Sequence, residues 1–199
     1  MVAIDGAPSK GQFQRHYGFR TLSHMQFTRL SLAALTLAAV ACHRGGARPA
    51  PAAAPSRAHA ELRDAAGTQI GVAALEQTSR GVLVTLTLTG APEGIHAVHF
   101  HSVGQCQAPS FESAGPHFNP TGHHHGYYSA DGGHAGDLPN VSIPGSGNLR
   151  VEMVATTASV SGLLDADGAA LVLHAAADDY RTDPSGNSGP RVACGVIAP

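Results

Sequence analysis

The stretch GVLVTLTLTG, residues 81–90, alternates between two faces. Val82, Val84, Leu86 and Leu88 fall on one side, and Leu83, Thr85, Thr87 and Thr89 on the other. Successive side chains of a strand point to opposite faces, so a period of two makes one apolar face and one mixed face. Gly81 and Gly90 bracket the run as turn residues. The segment predicts a half-buried strand.

The same reading extends outward. QIGVAALEQT (69–78) and GIHAVHFHS (94–102) read as strands rich in apolar and β-branched residues. NLRVEMVAT (148–156) alternates Leu149, Val151 and Met153 with Arg150 and Glu152. AALVLHA (169–175) and RVACGVI (191–197) complete the set. No segment carries a convincing amphipathic helix. The chain of 199 residues suits one domain plus extensions. Its 24 Gly and 13 Pro, with no Trp, make a turn-rich composition that favours short strands. The expected fold is an all-β antiparallel sandwich or barrel. Two strand-poor stretches, 102–147 and 176–190, interrupt it, and loops of that length are usually functional or disordered. A formal net charge of −2 removes any general argument for nucleic acid binding.

The amino terminus reads as an address. From Met25, the basic Arg29 precedes an apolar run from Leu30 to Ala41. The run is short for a membrane span and suits a signal-peptide core. Residues 1–41 are therefore expected to be an upstream extension and signal peptide, with Met25 the true start. Ala39-Val40-Ala41 fits ordinary cleavage, and with Cys42 added it resembles a bacterial lipobox. Lipidation of Cys42 is the favoured reading and implies membrane anchoring. Because His43 rather than Asp follows Cys42, the expected location is periplasmic, anchored to the outer membrane. Residues 42–58 are Ala/Pro/Gly-rich and read as a flexible tether, and 59–199 as the folded domain.

The 13 histidines are the outlier of the composition, and histidine is the commonest protein ligand for zinc and copper. His99 and His101 sit two apart on a strand and share a face. His96 points the other way and reads as a structural histidine. Downstream lie His117, the run His123-His124-His125, His134 and Asp137. Three imidazoles and one carboxylate make a sensible tetrahedral zinc shell. Adjacent residues of an extended run face opposite ways, so only some of 123–125 can reach one ion. His174 on a late strand adds to a second, nitrogen-rich group that suits copper.

GIHAVHFH, AGPHFNP, GHAGDLPN, LVLHAAADD and PRVACGVI, in this order, resemble the signature segments of the copper–zinc superoxide dismutase family, in its bacterial exported form. The resemblance covers roughly 59–199. It implies an eight-stranded antiparallel Greek-key β-barrel with two long functional loops over a site outside the barrel wall. It implies one copper and one zinc ion, with copper held by His99, His101, His117 and His174. Zinc would be held by His117, His125, His134 and Asp137, so that His117 bridges the two ions. Counting from His117 selects His125 from the histidine run and leaves His123 and His124 solvated. Asp178 would bond His99 and His125 and fix their rings. Arg191 would receive the superoxide anion, and His117 would take up a proton as copper cycles between Cu(II) and Cu(I). Arg181 in the second long loop is either a second aid to the anion or a solvated arginine with no role. Cys106 and Cys194 match the family's disulfide, which needs an oxidising compartment. Ala97 stands where glycine is frequent, and Ala175 and Ala176 replace residues that are often charged; none of these changes removes a ligand.

The implied activity is dismutation of superoxide to oxygen and hydrogen peroxide, protecting the cell envelope. Two rival readings stand beside it. One is a copper- and zinc-buffering lipoprotein on the same scaffold, and the other an adhesive β-sandwich with incidental histidines. Assembly is left open, with a homodimer among the options.

Overall fold

The computed structural model describes residues 53–199. The signal-peptide, start-site and Cys42 expectations, and most of the tether, lie outside the described residues. The domain is built of antiparallel strands with two single-turn helical segments, Glu112–Ala114 and Val160–Leu163. The strands are β1 (Arg57–Asp64), β2 (Gln69–Thr78), β3 (Gly81–Leu88), β4 (Gly94–His96), β5 (Val98–His101), β6 (Val141–Ile143), β7 (Leu149–Ala155), β8 (Ala170–His174) and β9 (Arg191–Ala198). Seven form one sheet in the order β5-β8-β9-β1-β2-β3-β7, and β4 pairs with β6. β4 and β5 are one strand interrupted at Ala97, whose N–H and C=O bond to Ala176 and His174 instead. Counted that way, the strands number eight. The connections from β3 to β4 and from β7 to β8 each skip neighbours, as a Greek key requires.

β3 shows why the sheet curls around a core. Val82, Val84, Leu86 and Leu88 are fully buried, whereas Leu83, Thr85 and Thr87 are partly exposed. The buried face meets Leu62, Leu75, Phe100, Leu171 and Leu173 from other strands. Each such side chain contributes about 1.5–3 kcal/mol on burial.

Two strands were not anticipated. β1 begins at Arg57, two residues before the expected domain boundary, and spans 57–64. Its inward residues are Ala58, Ala60 and Leu62, and β1 joins β2 to β9. β6 interrupts the first long loop.

β5 positions the site. Val98 and Phe100 turn into the core, so His99 and His101 turn outward. They are nevertheless buried, because the first long loop folds back beside them. Phe118 donates to the Phe100 carbonyl, and Phe100 to the Gly136 carbonyl. Gly136 packs so closely that a Cβ there would lie 2.5 Å from the Phe100 carbonyl oxygen.

Candidate metal centre

Four imidazoles from three parts of the chain converge beside β5. His99 and His101 come from β5, His174 from the end of β8, and His117 from the first long loop, bridged to His101. One nitrogen from each lies within 4.8 Å of the others. Hydrogen bonds identify which nitrogens remain free. His101 Nδ1 donates to the Gly115 carbonyl at 2.8 Å, and His174 Nδ1 to the Gly189 carbonyl at 3.2 Å. A carbonyl can only accept, so both Nε2 atoms keep lone pairs. They approach to 3.3 Å. His99 Nε2 donates to Asp178 Oδ2 at 2.7 Å, which leaves its Nδ1 free. His117 Nδ1 lies 3.0 Å from Asp137, which leaves its Nε2 free.

A second group shares His117. His117 Nδ1, His125 Nδ1 and His134 Nδ1 lie 3.0, 3.1 and 3.3 Å from Asp137 Oδ1. Asp137 Oδ2 accepts from the Gly126 and His134 N–H groups at 2.8 and 3.0 Å. Gly126 sits at φ +91°, and a Cβ there would strike the Tyr180 carbonyl, so the two long loops meet at this glycine. Asp178 joins the groups: Oδ2 takes His99, and Oδ1 takes His125 Nε2 at 2.9 Å.

Electrostatics divides the two groups. Burial pushes His101 down to about 2, reinforced by neighbouring His117. Burial and His99 push His174 down to about 3. Burial takes His117 to about 4, although Asp137 partly opposes it. All three are therefore neutral near pH 7, with lone pairs available. His125 goes the other way: burial lowers it, but Asp137 and Asp178 outweigh burial and raise it to about 9. Burial also works against the charged forms of both carboxylates. Hydrogen bonds from the surrounding histidines still hold them well below the usual range.

These residues fit copper and zinc. His99 Nδ1 and His117 Nε2 are buried without a hydrogen-bond partner, and a buried nitrogen lone pair without a partner is costly. Both belong to the four-imidazole group, a nitrogen set suited to copper. Three imidazoles and a carboxylate suit tetrahedral zinc.

A cleft of about 440 Å³ opens over the first group, lined by His101, His117, His174 and Arg191 among others. Arg191 Nη1 donates to the Phe111 carbonyl at 2.6 Å and Nη2 to the Gly115 carbonyl at 2.7 Å, with Glu112 at 3.6 Å. Gly115 thus holds both His101 and Arg191. Cys106 and Cys194 are bonded, which ties the loop bearing Phe111 and Gly115 to β9, the strand of Arg191.

Other histidines and Arg181 fall outside these groups. His96 is buried, with Nδ1 2.7 Å from the His174 carbonyl. His123 is half-buried, and exposed His124 pairs with Asp131 at 3.0 Å. Arg181 stacks on Tyr128 at 4.3 Å and lines a groove with His124, Asp131 and Asp183 that shares no lining residue with the Arg191 cleft. Sequence reasoning did not reach Asn140, which exchanges two hydrogen bonds with the Asp178 backbone, at 2.8 and 2.9 Å. Nor did it reach Asp183, which accepts the His125 N–H at 2.6 Å. Both act on the backbone of other residues, which leaves no spacing signal.

The comparisons with known proteins agree with this geometry. Residues 69–197 match the family model described as copper/zinc superoxide dismutase. The Cu-Zn superoxide dismutase 2 of Aquifex aeolicus (strain VF5) is 44% identical over 147 residues, which span 71% of this chain and 86% of that protein. The Cu-Zn superoxide dismutase of Caulobacter vibrioides is 41% identical over 138 residues, 66% of this chain and 79% of that protein. The crystal structure of a SOD-like protein from Bacillus subtilis superposes with a TM-score of 0.67 at 36% identity, covering 69% of this chain and 96% of that one. On fold, site and sequence together, the chain belongs to the copper/zinc superoxide dismutase family.

Proposed function

We propose that this chain converts superoxide to oxygen and hydrogen peroxide. His99 Nδ1 and the Nε2 atoms of His101, His117 and His174 would hold copper. The Nδ1 atoms of His117, His125 and His134, with an Asp137 carboxylate oxygen, would hold zinc. The observation that carries this reading is the shared His117, whose two ring nitrogens face the two groups. When bound, copper supplies a one-electron couple and zinc a fixed positive charge.

The chain's own residues do the rest. Arg191 receives the anion: its guanidinium stays charged at any working pH and is anchored by two carbonyls at the cleft wall. His117 lines the cleft, and whenever its Nε2 is not holding copper that atom could take up a proton from solvent and pass it to the anion. Asp178 keeps the rings of His99 and His125 turned so that each presents Nδ1. The net charge is slightly negative, so attraction of superoxide depends on the local field of Arg191.

Metal buffering needs no anion dock, so Arg191→Ala separates the readings. It should leave copper and zinc content unchanged and slow superoxide decay by about tenfold or more, since local steering alters encounter rates by 10–10³. An unchanged rate would favour buffering.

The export reading belongs here as well. The apolar run from Leu30 to Ala41, Cys42 after Ala41, and a disulfide that needs an oxidising compartment support a lipid-anchored protein of the periplasm. The mass of the mature amino-terminal peptide tests it: a lipid-modified Cys42 as the first residue is expected, and an unmodified residue at 42 would exclude the anchor.

A further inference from the structure

Ser188 is fully buried, and its hydroxyl oxygen lies 3.0 Å from His174 Nδ1. The same nitrogen faces the Gly189 carbonyl at 3.2 Å. The carbonyl cannot donate, so Nδ1 carries the hydrogen and shares it between two oxygens. The backbone fixes both. The Ser188 carbonyl accepts from the Ala176 N–H at 2.9 Å, and the Pro190 carbonyl from the Ala175 N–H at 2.8 Å. These bonds extend the pairing of β8 with β9 beyond the strand ends. The hydroxyl is therefore mounted on the same ladder that carries His174, and does not drift with the ring.

We propose that Ser188 is a positioning residue for His174, its hydroxyl being a second acceptor that sets the ring's rotation and strengthens Nε2 as a donor to copper. The inference rests on the reading of His174 as a copper ligand. An acceptor at the far N–H draws the hydrogen outward, and electron density moves to the opposite nitrogen. A stronger nitrogen donor favours Cu(II) over Cu(I), so Ser188 lowers the copper reduction potential. A second acceptor also adds to the resistance that the Gly189 carbonyl offers to rotation of the ring about its bond to Cβ.

Ser188→Ala removes one oxygen and leaves the Gly189 carbonyl, so Nδ1–H keeps a partner and the fold keeps its backbone bonds. The full-length protein is loaded with copper and zinc, and its reduction potential is measured by redox titration of the Cu(II) visible band. Loss of a hydrogen-bond partner to a ligand typically costs 10–100-fold in metal affinity, and this shared bond belongs at the low end, about tenfold against Cu(II). For a one-electron couple, tenfold corresponds to a rise of about 59 mV. Zinc content should not change, and Ser188→Thr, which restores the hydroxyl, should return the potential toward the parent. A fully copper-loaded Ser188→Ala protein with the parent's potential overturns the inference alone. So does a Thr variant that stays shifted with Ala, because packing would then be the cause. A parent protein that binds no copper at this group overturns the functional reading and the inference with it.

Discussion

His125 shows how one side chain is selected from three identical neighbours. Its Nδ1 faces Asp137 and its Nε2 faces Asp178, whereas His124 reaches only Asp131 at the surface. Substituting His125→Ala should lose zinc, and His123→Ala should keep it, as measured by elemental analysis of purified protein. The reverse result would mean that the loop register is wrong. The raised pKa of His125, about 9, adds a pH signature. At neutral pH the metal-free protein carries a proton on this ring, and zinc must displace it. Zinc binding to the metal-free chain should therefore release that proton at neutral pH, with release fading as pH rises through about 9. Calorimetry in buffers of different ionisation enthalpy reads this directly; no buffer dependence would contradict it. The sequence made His125 legible only through its distance from His117 and the family pattern. Asn140 and Ser188 were not legible: both act through short polar contacts with residues remote in sequence.

Among the elements, the strands marked by alternation or by an apolar, β-branched run were readable, whereas β1 and β6 were not. β3 buries the face its sequence marks. β1 was masked because alanines supply much of its inward face and its start runs on from an Ala/Pro-rich segment. β6 has three residues, too few to show a period. The long loops carry no periodicity, yet hydrogen bonds to Phe100 and the disulfide fix the first one. Cys106 and Cys194 are 88 residues apart, and closing a loop of that length removes about 4–5 kcal/mol worth of unfolded-chain entropy. Cys106→Ser combined with Cys194→Ser should lower unfolding free energy by that order in denaturant titration. It should also slow superoxide decay at full metal loading, because the Phe111 and Gly115 carbonyls that hold Arg191 sit on the released loop. Full activity without the disulfide would show that the loop holds Arg191 by itself.

At the scale of the described domain, the curled sheet is a wall with its chemistry on the outside. One face of β5 and β8 belongs to the core, and the other presents three of the imidazoles under two loops. His117 and Asp178 join the two metal groups into one unit, and Gly115 joins that unit to Arg191. The fold was legible because alternating and apolar runs mark the strands; strand spacing put only His99 and His101 on one face, and the rest of the ligand set came from the family pattern. The cleft was not, since it depends on how the chain returns Arg191 to Gly115 across a sequence separation of 76. Loaded with its metals, this assembly is expected to turn over superoxide. The decisive experiment loads the full chain with one copper and one zinc and follows superoxide decay after a rapid pulse. Decay first order in protein and close to encounter-limited, about 10⁸–10⁹ M⁻¹s⁻¹, is the predicted result. A protein that holds both metals and leaves superoxide to its spontaneous decay would not be a superoxide dismutase.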